Sequence, residues 1–558
     1  MLQHPSLPDP LRGILAGRLL ALLVAAWVLL GLVGHDPWKP DEAHYLGVIL
    51  DLLRGGDWVV PTLAGEPWVE KPPLFYIVAA MFASVGQKLL PLHDAARLAA
   101  GAFVVTAAIF LGLTGRELYG RGYGSAAVLL MLGCVGTIAR MHQLIPDTAL
   151  LAGIAIAMYG LAIARRATWA AGIALGVGSA CAFLSKGLLG PGCLGVTALL
   201  LPLFKRWRRR EYIGVLAIAF IVAVLPAATW MSALYARSPN LFSVWLVDNN
   251  FGRFLGFVRV GTRNPPGFYA YTLLWYALPV LPLAGYAGWT AWRDRVIWED
   301  LELPALLASV ILAVLAFASD SRDLYLMPIV LPLSLAGARS LRELPAAGVH
   351  TLSSTARLGL GALAVLLWLG WSTLMTGFPA ALSMALLSYQ PRYIPQVHWA
   401  NLTLAIAVTA GAACFLYWRA RTAGFALVQW TVGVTLCWGL IATLWMPFID
   451  AGKSYRGMIR SIARELPAAD CVNSLHLGEP QRALLLYFAG ITTKRMEVDP
   501  SVECPSLLVQ GWRQSGLSPP ADHWILVWEG ARSGDRKELY HVYRRSVPLN
   551  HRVEQYPN

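Results

Sequence analysis

The sequence predicts an α-helical polytopic membrane protein of about thirteen crossings, followed by a small soluble α/β domain. Three observations predict it. Hydrophobic residues make up 57% of the 558 and charged residues only 14%, against about a quarter charged in a soluble chain. Apolar runs alternate with short charged stretches up to about residue 447, and composition then becomes ordinary. The runs are long enough, at roughly 20 residues each, to cross a bilayer. We therefore divide the chain into a membrane domain, residues 1–450, and a soluble tail, residues 451–558.

The first run, Ile14 to Val33, follows Arg12 and Arg18, which puts the N-terminus in the cytoplasm. It is too long for a signal peptide and no small-residue cleavage site follows. Basic stretches then recur at Arg116 and Arg121, Arg165 and Arg166, Lys205 to Arg210, Arg293 and Arg295, Arg339 and Arg342, and Arg419 and Arg421. All can be cytoplasmic only if the apolar run Leu74–Gly86 does not span. That run is too short to cross and is expected to lie in the interface or re-enter, on the outer side. Trp58 and Trp68 nearby suit an interfacial position. An odd number of crossings places the tail outside. The net charge of +13 then reflects the positive-inside bias of short loops, and nucleic acid is excluded as a partner.

Charged residues suited to chemistry gather in the loops expected outside. The first, 36–97, contains Trp38-Lys39-Pro40-Asp41-Glu42-Ala43-His44-Tyr45 and then Glu70-Lys71-Pro72. Carboxylates at a membrane edge are costly unless paired or functional. The bland reading of Asp41 is the start of an amphipathic helix reaching Leu53, and that of Glu70 and Lys71 is a weak surface pair. Asp147 stands at the mouth of another run, Lys186 between two runs, Arg253, Arg259 and Arg263 in a long fourth outer loop, and Arg322 after Asp320. Singly, each reads as an interfacial anchor. Together, acids and bases on one face suit a lipid-linked phosphate: cations hold phosphate while carboxylates orient or activate a neighbouring group. No metal-protease, P-loop or paired-cysteine motif appears. No cofactor is called for; a divalent cation held by Asp41 and Glu70 is the one metal option. Glycine-rich stretches lie within apolar runs, where they favour close helix packing.

The opening-loop motifs resemble the aminoarabinose lipid A transferase family, a branch of the protein-mannosyltransferase-like superfamily with the GT-C fold. The resemblance continues in order through Pro146-Asp147, Ser185-Lys186-Gly187, Phe242-Ser243-Val244-Trp245, Arg253-Phe254 and Arg263-Asn264-Pro265. It implies an inverting transferase that moves a sugar, aminoarabinose or a related one, from a polyprenyl-phosphate donor to lipid A or a similar glycolipid. It places that reaction on the periplasmic face of a bacterial inner membrane, in a monomer. It implies Asp41 and Asp147 as the essential acids and Lys71 and Arg263 as phosphate-binding cations. Glu70 and Tyr45 would support the substrate, and Lys186, Arg253, Arg322 and Tyr325 complete the implied substrate-binding set. Arg322 stands where family members often carry Lys, and Thr262 where a His often precedes the Arg-x-Pro pattern.

In the tail, Cys471–Leu477, Leu507–Gly511, Trp524–Glu529 and Leu539–Tyr543 read as strands and Glu479–Ala489 as a helix. Cys471 and Cys504 are its only cysteines and can pair in an oxidising compartment. The tail has no catalytic constellation of its own. It covers the membrane cavity, helps bind an acceptor, or simply caps the fold. The rival functions are a lipid-linked sugar transporter, a protein O-mannosyltransferase-like enzyme, and an assembly protein with a decayed site. Transporters favour midplane charges and inverted repeats, whereas these charges lie at run ends.

Overall fold

The computed structural model describes residues 17–258, 261–466, 471–514 and 523–546. Arg12 and Arg259 lie outside the described residues.

Among the described residues, seven helices are long and apolar enough to cross a membrane, eight if the bent pair Phe268–Tyr276 and Val280–Arg293 is one broken span. Shorter apolar helices include Arg18–Leu29, Tyr123–Leu132, Asp147–Ile163 and Leu189–Leu203. Length alone thus yields fewer crossings among the described residues than the apolar runs suggest, because several runs are interrupted. The run after Asp323, for example, begins as a 3-10 segment containing Pro328 before helix Val330–Ser340 takes over. Leu74–Gly86 forms a helix of 13 residues, about 20 Å long and short of a hydrocarbon layer of about 30 Å. Helix Arg210–Arg237 exposes Ile213, Phe220, Ile221 and Leu225, an apolar face that lipid covers in a membrane protein.

The bundle has two chemically distinct ends. At one, Arg166 donates to Glu117 at 2.6 Å and Arg209 to the Arg165 carbonyl at 3.2 Å. There Asp300 pairs with both Arg206 (3.6 Å) and Arg339 (2.9 Å). Four of the basic stretches therefore meet at one end. Helix Leu92–Tyr119 runs from that end, where the Tyr119 hydroxyl donates to the Asp300 carbonyl at 3.1 Å, to the other. Its 28 residues cover about 42 Å. At the far end lies the first long loop, beneath the C-terminal sheet domain.

Small residues set a close helix approach between Asp147–Ile163 and Thr168–Lys186. A Cβ on Gly153 would lie 2.7 Å from the Gly178 carbonyl oxygen, and one on Gly178 2.4 Å from the Ala157 nitrogen. Backbones this close leave no space for larger side chains.

The segment 236–267 is helical where a loop is expected. Helix Pro239–Ser243 continues into a π-helical stretch Val244–Gly252 and a turn Arg253–Leu255. The cause is aromatic burial: Trp245 is fully buried, with ring centroids 4.8 Å from Trp230 and 5.9 Å from Phe183.

A two-residue hairpin, β1 Thr62–Leu63 and β2 Glu66–Pro67, decorates the first loop. Among the described residues the C-terminal domain has five strands: β3 Val472–Leu475, β4 Lys494–Arg495, β5 Ser506–Trp512, β6 Trp524–Gly530 and β7 Glu538–Arg545. Their order is β4-β3-β5-β7-β6. β3 pairs in parallel with both neighbours, and β7 is antiparallel to both of its own. Helices Arg456–Glu465 and Glu479–Ala489 pack on the sheet through Ile459, Ile462, Leu484 and Leu485. A disulfide joins Cys471 to Cys504, Cα atoms 5.1 Å apart. Tail and first loop are bonded throughout. Arg482 pairs with Glu66 (2.8 Å), Arg495 also with Glu66 (3.0 Å), Lys39 with Glu538, and Arg456 with Asp36.

Candidate active site

Helix Asp41–Leu53 starts after Pro40 with Asp41 and Glu42 in its first turn, where carboxylates complement unsatisfied N–H groups. The two acids then diverge. Glu42 is 1% exposed and accepts from Arg97 Nε at 2.7 Å and from the Leu144 and Trp38 amides, each at 3.0 Å. Burial alone would raise its carboxyl, but the charge and hydrogen bond of Arg97, with His35 and the Leu144 amide, together hold it at about 2. Arg97, fully buried, also donates to Asp94 at 2.6 Å and to the His35 carbonyl at 2.9 Å. Glu42 is thus committed to fastening the first loop to the bundle. Asp41 faces the other way and accepts a charged hydrogen bond from Arg322.

Arg322 is held in position by a backbone pairing of two loops. Ser321 N donates to the Thr262 carbonyl at 3.0 Å, Asn264 N to the Ser319 carbonyl at 2.8 Å, and the Tyr269 hydroxyl to the Asp320 carbonyl at 3.2 Å. One turn on, the Tyr325 ring receives the Lys186 ammonium at 4.7 Å from its centroid. Lys186 pairs with Asp147. These two residues end the closely packed glycine-rich hairpin, so its tight approach brings them together. Gly187 turns the chain with φ +78°, and its conformation suits glycine. Asn250 locks this turn: its Oδ1 accepts from Leu188 N at 3.2 Å while its Nδ2 donates to the Trp245 carbonyl at 2.8 Å.

Glu70 lies 3.2 Å from Lys71 and also pairs with Arg253. Burial pushes the Glu70 carboxyl up, but Lys71 and Arg253 together hold it at about 2. Burial lowers the Lys71 ammonium; Glu70 opposes that, and the nearby positive charges of Arg253 and Lys186 add to it. Tyr45 is buried, its ring 5.8 Å from that of Tyr76. The Tyr76 hydroxyl and Arg253 Nε are buried without a hydrogen-bond partner. Such orphans at a charged site are donors left for a ligand's oxygens.

Asp41, Tyr45, Glu70, Lys71, Asp147, Lys186, Arg253, Arg322 and Tyr325 thus form one continuous cluster. Arg263 does not join it through its side chain. Its backbone bridges Asp320, and its side chain is exposed. Among the described residues no group of three His, Cys, Asp or Glu could hold a metal. The option of a cation on Asp41 and Glu70 meets two carboxylates already engaged by Arg322, Lys71 and Arg253. Sequence reasoning missed Tyr76, Asn250 and His44. Only His44 carried a signal, standing three residues after Asp41 on the same helical face.

A family model described as dolichyl-phosphate-mannose-protein mannosyltransferase matches residues 70–230. The undecaprenyl phosphate-alpha-4-amino-4-deoxy-L-arabinose arabinosyl transferase of Pseudomonas aeruginosa (strain UCBPP-PA14) is 30% identical over 441 residues, covering 76% of this chain and 74% of the relative. The protein of the same name from Pseudomonas paraeruginosa (strain PA7) is 28% identical over 445 residues, with the same coverage. The crystal structure of ArnT from Cupriavidus metallidurans bound to undecaprenyl phosphate superposes with a TM-score of 0.66 at 16% identity, covering 94% of this chain and 96% of that one. Its apo state gives 0.67. At that identity the likeness shows the fold: a GT-C membrane bundle with a C-terminal sheet domain. The 30% identity, sustained over about three quarters of both chains, goes further, and this chain belongs to the undecaprenyl phosphate-aminoarabinose arabinosyl transferase family of glycosyltransferases.

Proposed function

We propose that this protein transfers 4-amino-4-deoxy-L-arabinose from undecaprenyl phosphate to lipid A or a similar glycolipid, with inversion at the anomeric carbon. The reaction takes place at the periplasmic face of the inner membrane, within one chain whose N-terminus is cytoplasmic. Residues 1–450 carry the chemistry and residues 451–558 form the periplasmic domain. The observation that carries this reading is the cluster itself. Lys71, Lys186, Arg253 and Arg322 outnumber Asp41, Glu70 and Asp147, and all stand at the end of the bundle beneath a disulfide-bearing domain.

As the bond between the sugar's anomeric carbon and the phosphate oxygen breaks, the leaving phosphate gains negative charge. Lys71 and Arg253 stabilise that charge without moving a proton. The attacking oxygen of the acceptor forms the new bond from the opposite side. If it belongs to a hydroxyl, Asp41 takes its proton. If it belongs to a phosphate, it is already nucleophilic, and Asp41 with Arg322 orients it. Asp147 holds Lys186 against Tyr325, and Arg263 meets the donor from the rim.

The test is transfer from labelled undecaprenyl-phosphate aminoarabinose by purified protein, read by mass spectrometry of lipid A. Asp41→Asn is expected to lower the rate about 100-fold or more. An Asp41→Asn protein as active as wild type removes the catalytic assignment. Translocation of the donor across vesicles without sugar transfer would replace the enzyme with a transporter.

A further inference from the structure

An aminopentose joined to a lipid phosphate carries two opposite charges. The cluster's cations suit the phosphate, but the ammonium needs a carboxylate that no cation already holds. Asp41 is paired with Arg322, Asp147 with Lys186, and Glu70 with Lys71 and Arg253. Glu479 is different. It belongs to the sheet domain, its side chain is 48% exposed, and its charged partner among the described residues is the His44 imidazole at 3.4 Å. Burial lowers the proton affinity of that imidazole, and unlike the lysine and arginine partners of the other three acids it carries no permanent charge.

The position also fits. His44 and Asp41 are three residues apart on one helix, so their Cβ atoms lie about 5–6 Å apart on the same face. His44 also feels the charges of Glu70, Asp41 and Arg322. Glu479 therefore stands beside His44, about one helical turn from Asp41. It is firmly held there. Gly47 of the first-loop helix lets the tail helix approach so closely that a Cβ would lie 2.9 Å from the Ala483 Cβ. Arg482 pairs with Glu66 at 2.8 Å, and Gly478 N donates to Gln510 Oε1 at 3.0 Å, just before the helix begins.

We propose that Glu479, contributed by the sheet domain, receives the 4-ammonium group of the donor sugar beside His44 and selects an amino sugar over a neutral pentose. The inference rests on the donor reading above. It assigns the domain a part in donor specificity that neither a cover nor a cap would have. A glutamate in the first turn of a helix also favours the helix electrostatically. That role alone would alter stability and leave donor choice untouched.

The experiment compares two donors on the purified full-length protein: undecaprenyl phosphate carrying 4-amino-4-deoxy-L-arabinose, and the same lipid carrying L-arabinose with its neutral 4-hydroxyl. Wild type is expected to favour the amino sugar. In Glu479→Gln, kcat/KM for the amino sugar should fall about 10- to 100-fold, the span of one charged hydrogen bond, chiefly through KM. That for the neutral sugar should hold. Glu479→Asp should recover part of the preference, and Glu479→Lys should reverse it. Equal losses on both donors, or no loss on either, overturn the inference while leaving the transferase reading standing. Wild-type protein that transfers neither sugar refutes that reading and the inference with it.

Discussion

The adjacent acids Asp41 and Glu42 are divided by burial into different tasks. Asp41 is reachable from the site and paired with Arg322, whereas Glu42 is sealed against Arg97. Removing one partner of a buried pair leaves an uncompensated charge. Glu42→Gln is therefore expected to destabilise the protein by about 3 kcal/mol or more, read as a lower Tm in detergent. The pH dependence has a fixed sign. Glu42 and Glu70 ionise at about 2, below their ordinary 4.5. Their stabilisation is fully present above pH 4.5 and is lost as pH falls toward about 2. The contribution of these two carboxylates, read as the difference in Tm between wild type and Glu42→Gln, should hold down to about pH 5 and shrink below that. In Glu42→Gln the plateau should be lower and the acid-side drop shallower. An acid limb identical to wild type would contradict the ion-pair account.

At the scale of elements, the hairpin Asp147–Ile163 and Thr168–Lys186 delivers an acid and a base from its open end. Its small-residue stripe, Gly153 and Ala157 against Gly178 and Ala182, is what places Asp147 against Lys186. Gly178→Val should cost about 1–3 kcal/mol through overpacking. Activity should fall although every residue of the site remains, which a Tm and rate measured on one preparation can check. A fully active Gly178→Val would mean that the pair tolerates a splayed hairpin. These glycines were legible as packing residues. Their link to the site was not, because nothing local says which glycines of two runs face each other. The same holds for the stretch 236–267. Its aromatic residues were visible, but their burial against Trp230 and Phe183 depended on a partner helix.

At the scale of the molecule, the sheet domain and the first loop form a single outer layer. Lys39–Glu538, Arg482–Glu66 and Arg456–Asp36 cross between them, and Ala483 seats on Gly47. The disulfide closes a separation of 33 residues across β3 and β5. Its removal in a Cys471→Ser, Cys504→Ser double variant should destabilise this layer by about 3–4 kcal/mol. Limited proteolysis of the tail should accelerate first, with site activity following as the layer loosens. Cleavage at the wild-type rate would show that ion pairs alone hold the domain.

Much of this protein follows from its sequence by itself. The membrane class, the stretch too short to cross, the tail's helix Glu479–Ala489 and the residue types of the cluster all come from local signals. Hydrophobic length, charge placement and periodicity act within a few turns of chain and need no partner. Tertiary structure decided what those signals could not contain. It committed Glu42 to Arg97 and left Asp41 to Arg322, kept Arg263 at the rim, and brought Glu479 to His44 from more than four hundred residues away. The physical reason is that an ion pair or a desolvated charge is defined by its neighbours. For a residue at a membrane edge, those neighbours come from other helices and from the folded tail.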